Sequence, residues 1–317
     1  MCYACRMRHP LANQRGNTVL YIVIGLLLLV LGGTLILHYG LKRHDVLPYD
    51  VEAAYPPDTA LVGGEAFAST AAALMDHELS SLTGWRPNDF ILWGPDVAAD
   101  NNASRQLGII LALRESVRVF KDHLTKISST EYDPNLVAAD TLLRNDETKF
   151  WFPSAEGRYG EATDALRRYV AGLEKTPPTS KPLNQRNIEL IRLFQGWSDM
   201  LGDAHANLFK DVEQDGSSVK PWRTDDYFYH AQGIAHVMHH LSRALRREYG
   251  AEFANRPSIQ STLDEVIDAL GRAALLKPLV VLDGGPDGIS ANHRRNLDVY
   301  IVDARQKLYT IREELEK

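Results

Sequence analysis

The sequence predicts an all-α protein: a single N-terminal transmembrane helix followed by an antiparallel soluble domain of about eight helices. Three observations predict it. Val19 to Leu37 reads VLYIVIGLLLLVLGGTLIL without a charge, long enough at ~1.5 Å per residue to cross the ~30 Å hydrocarbon core of a bilayer. Seven later segments place apolar residues at alternating three- and four-residue intervals, the period of one helix face. No long stretch alternates apolar and polar residues as a half-buried strand would.

Residues 1–17 read as a short cytoplasmic N-terminus. They hold Arg6, Arg8 and Arg15 and no acid, together with both cysteines of the chain, Cys2 and Cys5. C-x-x-C is compatible with half a metal site or with acylation, but no second ligand pair precedes the apolar run, and two reduced thiols is the plainer reading. The remaining chain can form no disulfide and offers no thiol nucleophile. The apolar run exceeds the ~7–15 residues of a cleaved signal and ends in LILHYGLKRH without a small-x-small site, so residues 18–39 read as a retained signal anchor. Three arginines ahead of it against Lys42 and Arg43 behind favour an inward N-terminus and a large domain outside the cytoplasm. Gly25 with Gly32, and Gly33 with Gly40, share helix faces that would let two such spans approach, although no G-x-x-x-G is present.

Residues 40–64 contain Pro48, Pro56, Pro57, Gly63 and Gly64 and show no helical period. They read as an extended linker that holds the domain away from the bilayer at ~3 Å per residue. The helical domain then occupies residues 65–317. Its apolar stripes run from Phe67 to Leu82, Ile110 to Ile127, Tyr159 to Leu173, Leu190 to Leu208, Tyr227 to Leu245, Ile259 to Ala273 and Leu297 to Leu315, with a shorter helix near Leu136 to Leu143. Each stripe needs another to bury against, which implies an antiparallel array. Turn chemistry breaks the pattern at Gly84 to Asn102, Trp151 to Gly157, Thr176 to Pro182, Asp215 to Trp222, Asn255 to Pro257 and Lys277 to Asn292. TPPTSKP at 176–182 is the best internal boundary. Leu279 to Leu282 reads as a stub of strand or a plug beneath the bundle.

Charge excludes some partners. Setting aside the five bases of the first 44 residues leaves 30 of the 35 bases against 41 acids, a net of −11 from Asp45 onward. Nucleic acid and anionic head groups repel such a domain. G-x-S-x-G, phosphate-binding glycine loops and cysteine zinc sites do not occur, so no catalytic motif is legible.

Three stretches carry polar groups worth weighing. The segment GWRPNDFILWGPDVAADNNASRQ, Gly84 to Gln106, sets Trp85, Phe90 and Trp93 among Asn88, Asp89, Asp96, Asp100, Asn101 and Asn102. Aromatics among amides and carboxylates in a loop suit a partner; the same rings also suit a plug at the end of the bundle, with Asn and Asp as helix caps. On the helix YHAQGIAHVMHHLSRALRR, His236 and His240 stand one turn apart, a ligand-compatible spacing. The apolar stripe there centres on Ile234, Met238 and Leu241, which puts His236, His239 and His240 on a solvated face beside Arg243 and Arg247, where they offer at most a pH response. Asp199, Asp203, His205, Asp225 and Asp226 could compose a carboxylate–histidine metal centre, but the Glu-x-x-His pair of di-iron bundles is missing and surface acids with a cap at Thr224 or Asp225 read better. DGGPDG at 283–288 hints at a calcium turn and lacks the acids of an EF-hand loop.

The single span, the proline-rich linker, GWRPND with DNNASRQLG after it, and TDDYFYHAQG before a long helix together resemble one family over nearly the whole chain. It is the domain of unknown function 2333, a family of single-span envelope proteins from proteobacteria. Trp85, Pro87, Asn88, Asp100, Asn101, Gln106 and Gly108 carry the resemblance in the first segment, and Asp225, Asp226, Phe228, Tyr229 and Gly233 in the second. It implies a bacterial inner-membrane protein with a periplasmic helical domain, and it transfers no catalytic residue and no cofactor. The expectation is a membrane-anchored, non-enzymatic interaction or scaffold module. It contacts the lipid bilayer through Val19 to Leu37 and an envelope protein through Trp85, Asn88, Asp89, Trp93, Asp100, Asn101, Gln106, Asp225, Asp226 and Tyr229. The alternatives are an envelope hydrolase using carboxylates such as Asp89 or Asp100, and a metal-binding or pH-sensing module built on His236 and His240.

Overall fold

Eleven α-helices and one π-helical turn make up the secondary structure of the described residues, with isolated bridges in place of strands. The structure is a computed structural model that describes residues 12–44, 49–81, 84–89, 101–125, 131–184, 187–278, 280–285 and 288–317, with side chains in the first helix from 17 to 33. Cys2, Cys5, Arg6, Arg8, Trp93 and Asp100 lie outside this set. The chain divides into two compact units, Met1–Asp45 and Val46–Lys317.

The first unit is one helix, α1 (Ala12–His44). Its described apolar side chains, from Val19 to Leu31, are between 42% and 72% exposed all round the helix. Among the described residues no helix is long and apolar enough to cross a membrane; the apolar run 19–37 extends past the last described side chain at 33.

The second unit is a layered helical body: α2 (Val51–Ala54), α3 (Glu65–Ser80), α4 (Asn101–Val119), α5 (Pro134–Leu143), α6 (Ala155–Leu173), α7 (Asn187–Leu208), α8 (Pro221–Glu248), α9 (Gly250–Ala254), α10 (Pro257–Leu275) and α11 (His293–Glu316). The stripes read from the sequence are the buried faces. Leu263, Val266 and Leu270 of α10 and Leu297, Ile301 and Leu308 of α11 are all buried, because a helix with one apolar stripe gains only by covering it. Starts follow local chemistry. Asp133 and Ser154 cap α5 and α6 by accepting from backbone N–H groups two or three residues on, and proline opens α5, α8 and α10, where its missing N–H costs nothing. Helix α4 ends in a π turn, Phe120–Leu124, whose Phe120 stacks on Phe67 at 4.7 Å and meets Tyr169 edge-on.

Two expectations change here. The stretch 176–182 is no boundary. Thr179 and Ser180 donate to the Gly172 carbonyl, Lys181 donates to Asp133, and residues 46–317 form one unit. The proline-rich stretch is no extended spacer from Tyr49 onward. Val51 is fully buried with Ala66 and Ala244. Arg247 donates to the carbonyls of Tyr55 at 3.0 Å, Pro56 at 2.8 Å and Thr59 at 2.5 Å, and Arg243 pairs with Asp50 and Glu52. Residues 49–64 are thus a strap along the C-terminal half of α8. Proline leaves backbone carbonyls without helix partners, and the Arg247 fork satisfies several at once.

Candidate functional site

The polar groups converge where α4 crosses α8. A Cβ on Gly108 would lie 2.0 Å from the His230 carbonyl oxygen, and one on Gly233 would lie 2.1 Å from that of Arg105. Backbone meets backbone there, with no side chain to swing aside, so both positions need glycine. Beside the crossing, Glu78 of α3 accepts from Arg105 Nη1 and Gln106 Nε2, each at 3.0 Å. Gln106 also donates to the Gly84 carbonyl and accepts from the Arg86 N–H at 2.8 Å. All of these side chains are buried. A charge survives burial only when paired and hydrogen-bonded, and this network stitches α3, α4 and residues 84–89 together.

The residues singled out from the sequence fall into two groups around that network. Trp85 is buried, donates to the Glu147 carbonyl at 2.8 Å and meets Tyr159 edge-on at 5.0 Å. Asn88 is buried and donates to Glu156 at 2.8 Å and to the Lys149 carbonyl. Asp89 is half-buried and pairs with Arg86 at 2.8 Å; burial raises its carboxyl above the usual carboxylate range, against the pull of the Arg86 guanidinium. These three and Gln106 form one corner. In the second group, Asp226 accepts from Ser104 Oγ at 2.9 Å, near the start of α4. Asp225 is half-buried and Tyr229 is buried against Phe228. Asn101 is half-buried in the first turn of α4, so Asn101 to Gln106 are helix, not loop. The side chains of Trp85, Asn88, Gln106 and Tyr229 thus serve the interior, while Asp89, Asn101, Asp225 and Asp226 are half-buried at its margin.

The histidine stretch departs from the expected solvated face. Helices α3, α4, α7 and α10 all pack on α8, and the strap covers part of what remains. His236 and His240 are buried with rings 4.8 Å apart, and the His239 Nδ1–H donates to the Ile267 carbonyl at 2.9 Å. Burial pushes the imidazoles of His230, His236, His239 and His240 below their ordinary value, His240 to about 3. They are neutral at physiological pH, which removes the proposed near-neutral pH response. Among the described residues no cluster of three or more His, Cys, Asp or Glu side chains is arranged to hold a metal ion. His205 pairs with Asp298 at 2.8 Å and Asp199 accepts from Gln195, so each is engaged elsewhere. Asp283 is tied to Arg294 and Asn292, which makes the DGGPDG start a structural turn.

Beside the strap, α8 and α10 enclose a cavity of about 850 Å³ lined by His239, Arg243, Arg246, Arg247, Ile267 and Leu275 among others. Its charges are engaged: Arg246 pairs with Asp264 at 2.8 Å, and Arg243 and Arg247 hold the strap.

The surface feature that sequence reasoning missed lies between α5 and α6. Residues 144–154 form a turn with a pinned root. Arg114 donates to the carbonyls of Leu143 and Asn145, Tyr159 donates to the Asn145 carbonyl, Trp85 to that of Glu147, and Ala155 N–H to that of Lys149. At the tip, Phe150, Trp151 and Phe152 are 45%, 76% and 97% exposed. The signal was present in KFWFP: three consecutive aromatics in a turn cannot all face one core.

No curated protein and no solved structure matches the chain. The profile of domain of unknown function 2333, described as an uncharacterized protein conserved in bacteria, matches residues 12–215 and 182–317. Those two matches together run from the start of α1 to the last residue, and the chain belongs to that bacterial family.

Proposed function

We propose that the protein is a membrane-anchored interaction module of the bacterial envelope. Helix α1 holds it in the inner membrane with its N-terminus in the cytoplasm, and the helical body, on the periplasmic side, grips a partner without performing a reaction. The observation that carries this reading is α1 itself: a helix apolar on every side, with its described side chains from 19 to 31 uncovered by any other part of its unit. Water is a costly solvent for such a helix and hydrocarbon is not. The bonds that tie Trp85, Asn88 and Gln106 into the interior support a rigid platform beneath the exposed residues.

The test is a Leu27→Arg/Leu28→Arg variant of the full chain, compared with wild type in cell membranes. Each arginine near the centre of a span costs about 2.5–3.5 kcal/mol on the insertion scale, so the variant leaves the membrane fraction while wild type stays. Alkaline-phosphatase and cytoplasmic-reporter fusions at Lys317 read the side; activity of the cytoplasmic reporter alone reverses the orientation. Photocrosslinking from Asp226 or Trp151 that captures no envelope component, in cells that depend on the protein, refutes the interaction role.

A further inference from the structure

We infer that the cavity between α8, α10 and the strap binds a single-chain amphipathic monoanion: an apolar chain ending in one singly charged head, a carboxylate or a phosphodiester. The inference goes beyond the anchored reading and holds whether or not α1 lies in lipid, because every residue of the site belongs to the unit Val46–Lys317.

Helix periodicity builds the walls. Arg243, Arg246, Arg247 and Gly250 recur at the spacing of one helix face, and so do Asp264, Ile267, Asp268, Gly271 and Leu275 along α10. The strap closes a third side with Glu52 and Pro57. A Cβ on Gly271 would lie 2.9 Å from His239 Cε1, so the imidazole packs straight onto α10. The space left is about 850 Å³, within the ~300–1,000 Å³ of small-molecule sites.

The lining calls for an apolar chain. Leu275 is exposed although it lines a concave wall, and Ile267 is only half-buried. The aliphatic stems of the arginines add further carbon surface. A hydrocarbon chain laid there removes that surface from water, and the gain grows with its length.

Charge selects the head. The lining holds four arginines and three acids. Arg243 faces Glu52, and Asp50 outside the lining, at 3.3 and 3.1 Å; Arg246 faces Asp264 at 2.8 Å and Arg272 faces Asp268 at 2.9 Å. Arg247 faces no carboxylate. Its Nε and Nη2 donate to the carbonyls of Tyr55, Pro56, Pro57 and Thr59, and its Nη1 donates to nothing among the described residues. Carbonyls are neutral, so this guanidinium keeps its charge and one nitrogen for an anion. His239 adds no charge: its Nδ1–H is held by the Ile267 carbonyl, and burial keeps the imidazole neutral. A second negative charge on the head would meet no free partner, and a cationic head would lie among guanidinium groups.

The probe is octanoate with a terminal fluorine, followed by fluorine NMR line width on the full chain in phosphatidylcholine nanodiscs, with empty nanodiscs as the baseline. A chain that does not insert is titrated free in buffer, so failure of the anchored reading leaves this test standing. Wild type binds the probe saturably. Unlabelled octanoate, methyl octyl phosphate or both displace it, which assigns the head; octanol and octylammonium at equal concentration do not. Butyrate, four methylenes shorter, is weaker by on the order of a hundredfold. Ala251→Glu sets a carboxylate on the wall at an exposed position in the first turn of α9; it unfolds at the wild-type temperature and binds the probe more weakly by on the order of tenfold or more. Arg247→Gln loses the preference for octanoate over octanol, and Arg247→Lys, which keeps the charge without the fork, retains it. No saturable binding, equal displacement by octanol, or unaltered affinity in Ala251→Glu each overturns the inference. Equal loss in Arg247→Lys and Arg247→Gln assigns Arg247 to the strap alone and overturns it as well.

Discussion

Glu248 should make the stability of the body depend on pH in a direction opposite to that of an ordinary paired carboxylate. It sits at the end of α8, buried, and accepts from the backbone N–H groups of Gly64 at 3.0 Å, Ala66 at 2.8 Å and Phe67 at 3.2 Å. It thereby caps α3 from a distant helix and fixes the end of the strap. Burial dominates and raises its pKa from 4.5 to about 6, and the three hydrogen bonds only partly oppose this. A folded value above the unfolded one means the folded state takes up the proton first. The resulting stabilisation is fully present below pH 4.5 and is lost as pH rises through 6. At about 1.36 kcal/mol per pH unit, the difference amounts to about 2 kcal/mol. The perturbation is Glu248→Gln, which keeps the shape and removes the titration. The assay is urea unfolding of wild type and variant, both full-length in detergent, from pH 8 to 4.5, plotted as the difference in stability; the histidines act alike in both and cancel. Wild type should gain about 2 kcal/mol on the variant between pH 8 and 4.5, with the change spread over the interval from about 6 down to 4.5. A flat difference, or one that falls with acid, refutes the assigned environment of Glu248.

The other predictions concern the same core. Gly233→Ala and Gly108→Ala each force α4 and α8 apart and should destabilise the body by about 1–3 kcal/mol or more, read by thermal unfolding; a loss within error would contradict the close crossing. Glu78→Gln removes the carboxylate that accepts from both Arg105 and Gln106 and should cost about 1–3 kcal/mol in urea unfolding. The buried imidazoles work in the opposite sense to Glu248: their folded pKa values are depressed, so their contribution is present above pH 6.5 and lost as pH falls. With His240 at about 3, a His240→Gln variant should lose about 2 kcal/mol less than wild type between pH 6.5 and 5; identical acid profiles would show that His240 is solvated.

The apolar stripes were legible in the sequence because helix faces obey a local rule. Phe194, Trp197 and Leu201 had to share a side of α7, and they are buried. The position of each stripe's partner was not legible, since nothing local says that Gly108 meets His230 or that Glu248 caps a helix some 180 residues earlier. The strap was misread for the same reason. Its prolines exclude helix locally, but Arg243 and Arg247 dock it from far along the chain. His236 and His240 read as surface because they lie off the stripe centred on Ile234, Met238 and Leu241, yet that side of α8 is covered too, and a neutral imidazole can be buried there. Trp85, Asn88 and Gln106 were legible as unusual residues; that they brace the interior follows only from the partners Glu147, Glu156 and Glu78. The aromatic tip is visible in the letters KFWFP, but turn chemistry on either side marks only a break between helices and not which rings stay exposed.

Residence of α1 in lipid is the proposal on which the rest depends, and alkaline extraction is its sharpest test. Membranes from cells expressing the full chain are washed with carbonate at high pH, which strips proteins held by charge or by partners. The intact chain should remain in the pellet and be released only by detergent. Recovery of the full-length chain in the carbonate supernatant would contradict it.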